Sequence, residues 1–179
     1  DWIQGLLKNS LINLDIPVLK NLYKAWQGSI LDRVDYWNKF LSASRDAFEL
    51  QEEDRQLGKA LARLLVDLDL EEAKPFLKPP YGGFLTLYSL AAVRWDISLS
   101  DAASGFLWMW AENKVLCAMK LIPLGQTDGQ KILSTVIETI SNEVAQGLDL
   151  QDDAIGYSAP GQGIASALHE TQYTRLFRS

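Results

Sequence analysis

The sequence has very few of the side chains on which catalytic and metal sites usually depend. Its 179 residues include one cysteine, Cys117, and one histidine, His169. A catalytic triad or a Cys–His pair would have to use His169. A zinc or nickel site needs three or four ligands, usually His or Cys, and one residue of each type cannot supply them within a chain. This scarcity favours a binding protein over an enzyme.

A lone cysteine cannot form a disulfide within the chain, so we expect a cytoplasmic location. Cys117 stands in an apolar helical stretch, where we expect it to be buried as a small hydrophobic side chain. No apolar run reaches the length of about 18 residues that a membrane-spanning helix needs. The net charge is −6 and there is no clustered basic stripe, which disfavours non-specific nucleic-acid binding.

Proline and glycine are concentrated at a few points, and the segments between them have helical periodicity. The clearest loop is "KPFLKPPYGG", residues 74–83, with three prolines and two glycines. No segment shows the sustained alternation that is typical of a strand. The pattern predicts an all-α fold, a single-domain helical bundle of about seven to ten helices over residues 1–179.

Several helix boundaries and faces are predicted, and a last helix is expected over about Ile164 to Glu170. Asp15 and Ser44 are interpreted as N-caps, and two capping boxes are expected, at Ser98 to Asp101 and at Thr127 to Gln130. The helix after Ser44 has a stripe that we expect to face the core: Leu57, Leu61, Leu64, Leu65 and Leu68. The stripe after Thr127 comprises Leu133, Val136, Ile137, Ile140 and Val144. The segment up to Ile122, with "FLWMW", is expected to be the buried central helix, and most of the six tryptophans are expected in the core.

Two further segments have unusual composition. "PLGQTDGQ", residues 123–130, superficially resembles an anion cradle before a helix, but it lacks the Gly-Lys-Ser/Thr ending of a phosphate-binding loop. We interpret it as a tight turn between helices. The chain then ends on "ALHETQYTRLFRS", which is basic and aromatic, whereas chain ends are commonly small and polar.

Three stretches resemble the urease accessory protein UreF family: "RDAFELQEEDRQLGKALARLL" (45–65), "NKVLCAMKLIPLGQTDGQKIL" (113–133) and "HETQYTRLFRS" (169–179). The ending and "KLIPLGQ" are the most specific of them. The family usually has a further N-terminal segment with a Tyr-Ser-x-Gly-Leu-Glu-like motif, which is absent here. Gln51, Thr174 and the pair Gln162-Gly163 also depart from the family pattern.

The resemblance implies an all-α, non-catalytic chaperone without a cofactor of its own. Such proteins bind the accessory protein UreD (also called UreH) and the GTPase UreG, commonly form homodimers, and act on apo-urease during nickel insertion. Regulation of the GTPase is a further possibility. The resemblance also implies that residues 171–179 form a docking tail.

Within the tail, Leu176 and Phe177 are the expected apolar anchors, and Tyr173 adds an aromatic ring with a polar tip. Arg175 and Arg178 are expected to donate charge-assisted hydrogen bonds. His169 and Glu170 lie at its base, with His169 expected to pack and hydrogen-bond there. Lys120 and Gln126 are the candidate contacts in "KLIPLGQ", with Gln126 expected to cap the turn. The charged face Glu49, Glu52, Glu53 and Arg55 could face solvent or a partner equally well.

Alternatives stay open at this point. The tail could fold back onto its own helices. The chain could be a small helical enzyme that uses His169 and Glu170 as an acid–base pair. It could also carry nickel itself, although a His- or Cys-rich tract would then be expected.

Overall fold

The computed structural model describes residues 1–156 and 159–173, and within them the fold is all-α, as predicted. The helices, in chain order, are α1 (Trp2–Leu6), α2 (Asp15–Gln27), α3 (Leu31–Ala43), α4 (Phe48–Asp67), α5 (Phe84–Arg94), α6 (Leu99–Leu121), α7 (Gln126–Asp149) and α8 (Pro160–Glu170). A π-helical turn (Leu7–Leu11) continues α1, and two 3-10 segments span Glu71–Leu77 and Asp152–Ala154. No helix in the described ranges is both long and apolar enough to cross a membrane.

The chain divides into two compact units. The first contains residues 1–21 and 92–157, and α6 and α7 pack side by side in it. The two helices approach closely at Gly129, where an added Cβ would lie 2.8 Å from the sulfur of Met119. Gly147 allows a similar approach near the other end of α7, because a Cβ there would lie 2.8 Å from the carbonyl oxygen of Ile12.

Polar contacts fix the first residues of the chain to α7 and to the segment after it. Gln4 donates to the hydroxyl of Thr139 at 3.3 Å, and Lys8 pairs with Glu143 at 3.1 Å. Asn21 donates to Asp152 at 2.7 Å. The predicted stripe of α7 is confirmed at Leu133, Val136, Ile140 and Val144, which are buried, whereas Ile137 is 49% exposed.

The second unit contains residues 22–91 and 158–179. Its core includes Trp26, whose indole N–H donates to the carbonyl oxygen of Thr86 at 3.0 Å and whose ring meets Phe76 edge to face. The loop 78–83 lies directly on α4. A Cβ at Gly58 would stand 2.0 Å from the carbonyl oxygen of Gly82, so only glycine fits at that point of the helix.

A polar cluster holds the same loop from two sides. The side-chain oxygen of Asn38 accepts from the Gly83 N–H at 2.8 Å and from the Thr86 hydroxyl at 2.7 Å. Asp54 accepts from the Phe84 N–H at 3.2 Å, which places a carboxylate at the first turn of α5. The loop backbone therefore obtains from side chains the hydrogen bonds that no secondary structure provides.

Several predicted boundaries are confirmed and others are wrong. Ser98 caps α6 by accepting from the Asp101 N–H at 3.1 Å, as predicted, whereas Asp15 is the first helical residue of α2 rather than its N-cap. Ser44 instead follows the end of α3, where its hydroxyl donates to the carbonyl of Phe40. The second capping box is wrong because α7 begins at Gln126, with Gly125 as the N-cap and Thr127 already inside the helix.

The predicted loop and last helix also need correction. The 74–83 loop begins with four residues of a 3-10 segment, which tolerates Pro75 in its short turns. The last helix begins at Pro160, four residues before the predicted Ile164, because proline is well suited to a first helical turn.

Burial corrects four expectations about the core. In the predicted stripe of α4 only Leu65 is fully buried, and the residues beside it in the core are Gly58 and Ala62. Only two of the six tryptophans, Trp26 and Trp37, are buried, and Cys117 is exposed rather than buried. In "FLWMW", Phe106 and Leu107 are buried while Trp108 and Trp110 are partly exposed, so α6 is not enclosed on all sides.

Candidate partner-binding site

The base of the C-terminal tail is fixed to the beginning of α4 by two consecutive residues. His169 Nδ1 lies 2.8 Å from the carboxylate of Glu49. The carboxylate of Glu170 accepts from the backbone N–H of Glu49 at 3.3 Å. One residue of α4 thus receives both side chains, one at its carboxylate and one at its backbone.

Glu170 compensates for a missing cap. The N-cap residue of α4 is Ala47, which cannot accept a hydrogen bond with its side chain. Helix N-termini leave backbone N–H groups without intrahelical partners and carry a partial positive charge. A carboxylate from α8 therefore satisfies one of these donors and complements that charge.

Helix α8 also lies close to the residues just before α4, nearly two turns before His169. Gly163 is buried in α8, and a Cβ there would stand 2.8 Å from the Cβ of Asp46. The glycine lets α8 lie against the segment that leads into α4, and the two contacts of His169 and Glu170 then fix its far end.

Replacement of Glu170 by alanine is expected to destabilise the protein by roughly 1 kcal/mol, because α4 loses its cap. For a chain of this size that corresponds to a fall in melting temperature of roughly 2–4 °C, measured by thermal denaturation. Glu138→Ala on α7 is the matched control, since Glu138 is exposed. Equal melting temperatures for the two variants would show that Glu170 does not cap α4.

The chain leaves this base through exposed residues. Tyr173, the last described residue, is fully exposed at 104%, and the apolar side chains of Ile164 and Leu168 on α8 are 62% and 63% exposed. The predicted docking residues Arg175, Leu176, Phe177 and Arg178 lie outside the described residues. Their role, like that of Tyr173, stays a prediction.

A second candidate surface is the α6–α7 turn. Lys120 and Gln126 are both exposed, and between them Leu121 and Ile122 are 51% and 56% exposed. Gln126 is the first residue of α7 and makes no side-chain cap bond, so its predicted capping role is wrong. The structure brings a lysine and two exposed apolar side chains together, which is a suitable composition for a protein contact.

Two residues of the charged face, Glu52 and Arg55, line a cleft of about 410 Å³ in the second unit, together with Asn38 and Tyr81. Arg55 donates to both carboxylate oxygens of Glu52, at 2.8 and 2.5 Å. These bonds, followed by one from Gln56, lower the pKa of Glu52, and the bond to Glu52 raises the pKa of Arg55. The Arg55 guanidinium also lies 5.3 Å from the Tyr81 ring centroid. Asn38 and Tyr81 were not singled out from the sequence, because Asn38 acts by holding the loop 78–83 and Tyr81 lies in that loop.

The geometry does not support the acid–base pair that was one alternative. His169 and Glu170 both contact Glu49, where the histidine meets a carboxylate and the glutamate accepts from a backbone N–H. Among residues 1–156 and 159–173, no group of three or more His, Cys, Asp or Glu side chains could hold a metal ion. These contacts tie α8 to α4.

Comparison with known proteins decides the family. The UreF family model matches residues 1–137. The chain belongs to the UreF family. The Urease accessory protein UreF of Alkalilimnicola ehrlichii is 51% identical over 179 residues, which cover all of this chain and 78% of that relative. UreF of Hahella chejuensis is 44% identical over all of this chain and 80% of the relative. UreF of Teredinibacter turnerae is 47% identical over 99% of this chain and 80% of the relative.

The matched ranges also contain the two candidate surfaces described above. The similarity to each of these relatives extends over 99% or more of the chain, so it includes the "KLIPLGQ" turn and the C-terminal segment. These relatives are named as accessory proteins. The two surfaces described above are therefore the candidate contacts of an accessory protein of this family.

Proposed function

We propose that this chain is a non-catalytic scaffold of urease maturation. It binds UreD (UreH) and the GTPase UreG and holds both at apo-urease while nickel is inserted. It acts in the cytoplasm as a homodimer. The proposal assigns nickel to the assembly as its cargo and gives this chain no tightly bound cofactor.

The observation that carries the proposal is the fixed base of the tail in a member of the UreF family. Glu49 of α4 holds His169 and Glu170, and the chain continues from there to an exposed Tyr173. A peptide whose first residues are held in place loses less conformational entropy when the following residues bind a partner. This supports a docking role for Arg175, Leu176, Phe177 and Arg178.

The α6–α7 turn supports a second contact. Lys120, Leu121 and Ile122 are exposed at its tip, and the turn is held by the close packing of Gly129 against Met119. A scaffold needs at least two surfaces if it is to hold two partners at once. We assign one to the tail and one to this turn.

The proposal predicts that nickel loading of urease depends on this chain. Urease subunits, UreD and UreG would be expressed together with nickel, with and without this chain, and the nickel bound to purified urease would be measured. We expect urease close to background nickel content when the chain is omitted. Omission of UreG provides the control for a failed assembly. Equal nickel content with and without this chain would refute the proposed function.

A further inference from the structure

His169 is the only histidine of the chain, and Glu49 holds one edge of its ring. Nδ1 lies 2.8 and 3.0 Å from the two carboxylate oxygens of Glu49. An ionised carboxylate can only accept hydrogen bonds, so the proton in this contact is on Nδ1. In the neutral ring the second nitrogen, Nε2, then carries a lone pair and is a hydrogen-bond acceptor.

Nε2 is accessible on the opposite edge of the ring. The described residues offer it no hydrogen-bond partner, since the bonds of the His169 side chain are those of Nδ1 to Glu49. Among the same residues, the buried side-chain nitrogen or oxygen that lacks a partner is Nε1 of Trp37, so Nε2 is not buried. In agreement with this, 35% of the His169 side chain is exposed. The contact with Glu49 therefore leaves an oriented acceptor that another molecule can reach.

A metal ion is a poor candidate for this acceptor. Proteins do orient metal-binding histidines through a carboxylate on the other ring nitrogen. A protein metal site, however, usually has three or more protein ligands, and the described part of the chain contains no such group of His, Cys, Asp or Glu. A hydrogen bond needs only the one acceptor that is present.

The ring also lies where the tail leaves α8. The backbone N–H of Gln172 donates to the carbonyl oxygen of His169 at 3.1 Å, so the chain is still held close to the ring there. Arg175 is six residues after His169, and their Cα atoms are therefore at most about 21 Å apart. An interface of standard size covers about 800 Å² on each partner, which is a patch roughly 30 Å across. A protein that binds the tail can therefore cover His169 as well.

We propose that Nε2 of His169 accepts a hydrogen bond from the protein that docks on the tail, and that Glu49 positions the ring for this bond. The inference rests on the proposed function, in which that protein is UreD. It requires UreD to present a donor, such as a hydroxyl, amide or ammonium group, opposite the ring. His169 then contributes to the choice of partner as well as to the attachment of α8.

Two substitutions separate the two edges of the ring. In His169→Asn the side-chain amide N–H can still donate to Glu49, but nothing occupies the position of Nε2. In His169→Gln the longer side chain can bring its amide oxygen near the position of Nε2, but the contact of Nδ1 with Glu49 is lost. The two variants are therefore controls for each other.

Each tagged full-length variant is co-expressed with UreD, and the rate at which UreD leaves the immobilised complex is measured, because interface substitutions act mainly on dissociation. We expect UreD to leave the His169→Asn chain roughly tenfold faster than the wild-type chain, because its donor is left without an acceptor. The melting temperature of His169→Asn alone should change little. His169→Gln should melt at a lower temperature and yet release UreD more slowly than His169→Asn.

Release of UreD from His169→Asn at the wild-type rate would refute the hydrogen bond. Fast release that is accompanied by a fall in melting temperature as large as that of His169→Gln would refute it too, since His169 would then act only by holding α8 to α4. A wild-type chain that captures no UreD would refute the proposed function and this inference with it.

Discussion

Replacement of Gly58 by alanine is expected to lower the melting temperature by roughly 6–12 °C. The added Cβ would stand 2.0 Å from the carbonyl oxygen of Gly82 and 2.8 Å from the carbonyl carbon of Gly83. Both are backbone atoms, so no rotamer change can relieve the overlap. The loop must move away from α4, which lowers the free energy of unfolding by about 3 kcal/mol. For a chain of this size, a loss of that magnitude corresponds to the stated fall in melting temperature.

The displaced loop would also lose polar contacts. Asn38 accepts from the Gly83 N–H, and Asp54 accepts from the Phe84 N–H, so movement of the backbone weakens both bonds. Gly161→Ala provides the matched control in the same unit, because a Cβ at Gly161 in α8 would have nothing within 4 Å. That variant should be neutral or slightly more stable, since alanine is the better helix former. Similar melting temperatures for the two variants would mean that the loop does not rest on Gly58.

Removal of residues 175–179 is expected to abolish co-purification with UreD while the rest of the chain stays folded. The deletion removes Arg175, Leu176, Phe177 and Arg178, the predicted anchors, and leaves the contacts of His169 and Glu170 with α4 in place. Helix content by circular dichroism and melting temperature should therefore change little. Capture of UreD by a tagged chain measures the effect.

Point variants distinguish a docking role of the tail from a structural one. Arg175→Ala should reduce recruitment of UreG more than it reduces melting temperature, because a docking arginine acts on the partner. Lys131→Ala on α7, an exposed residue paired with Asp128, is the control for general loss of positive charge. Full capture of UreD by the truncated chain would show that the tail is not the anchor. Parallel losses of stability and recruitment in Arg175→Ala would indicate a structural role.

The fold class and most helix positions could be predicted because they depend on local signals. Ser98 caps α6 through a residue three positions away, and the α7 stripe is a property of one helix. The cap of α4 could not be predicted in this way. Glu170 accepts a hydrogen bond from the backbone N–H of Glu49, which lies 121 residues earlier in the chain. Nothing in the local sequence of either residue indicates this contact.

The α4 stripe shows a second limit of sequence periodicity. A row of leucines gives the same pattern whether it faces its own core or solvent, so Leu57, Leu64 and Leu68 were expected to be buried, although about half of each is exposed. The core side of α4 is instead made by Leu65 together with Gly58 and Ala62, and the missing Cβ of Gly58 lets the loop approach. Where a loop packs directly on a helix, the helix needs small residues at the contact. A search for a stripe of large hydrophobic residues does not find them.

The most direct test of the scaffold is co-expression of this chain with UreD and UreG from the same source, followed by size-exclusion chromatography. The account predicts a single peak that contains all three proteins when the full chain is present, and separate UreD and UreG when it is omitted. If UreD and UreG co-elute equally well without this chain, or if all three elute apart, the chain does not hold them together.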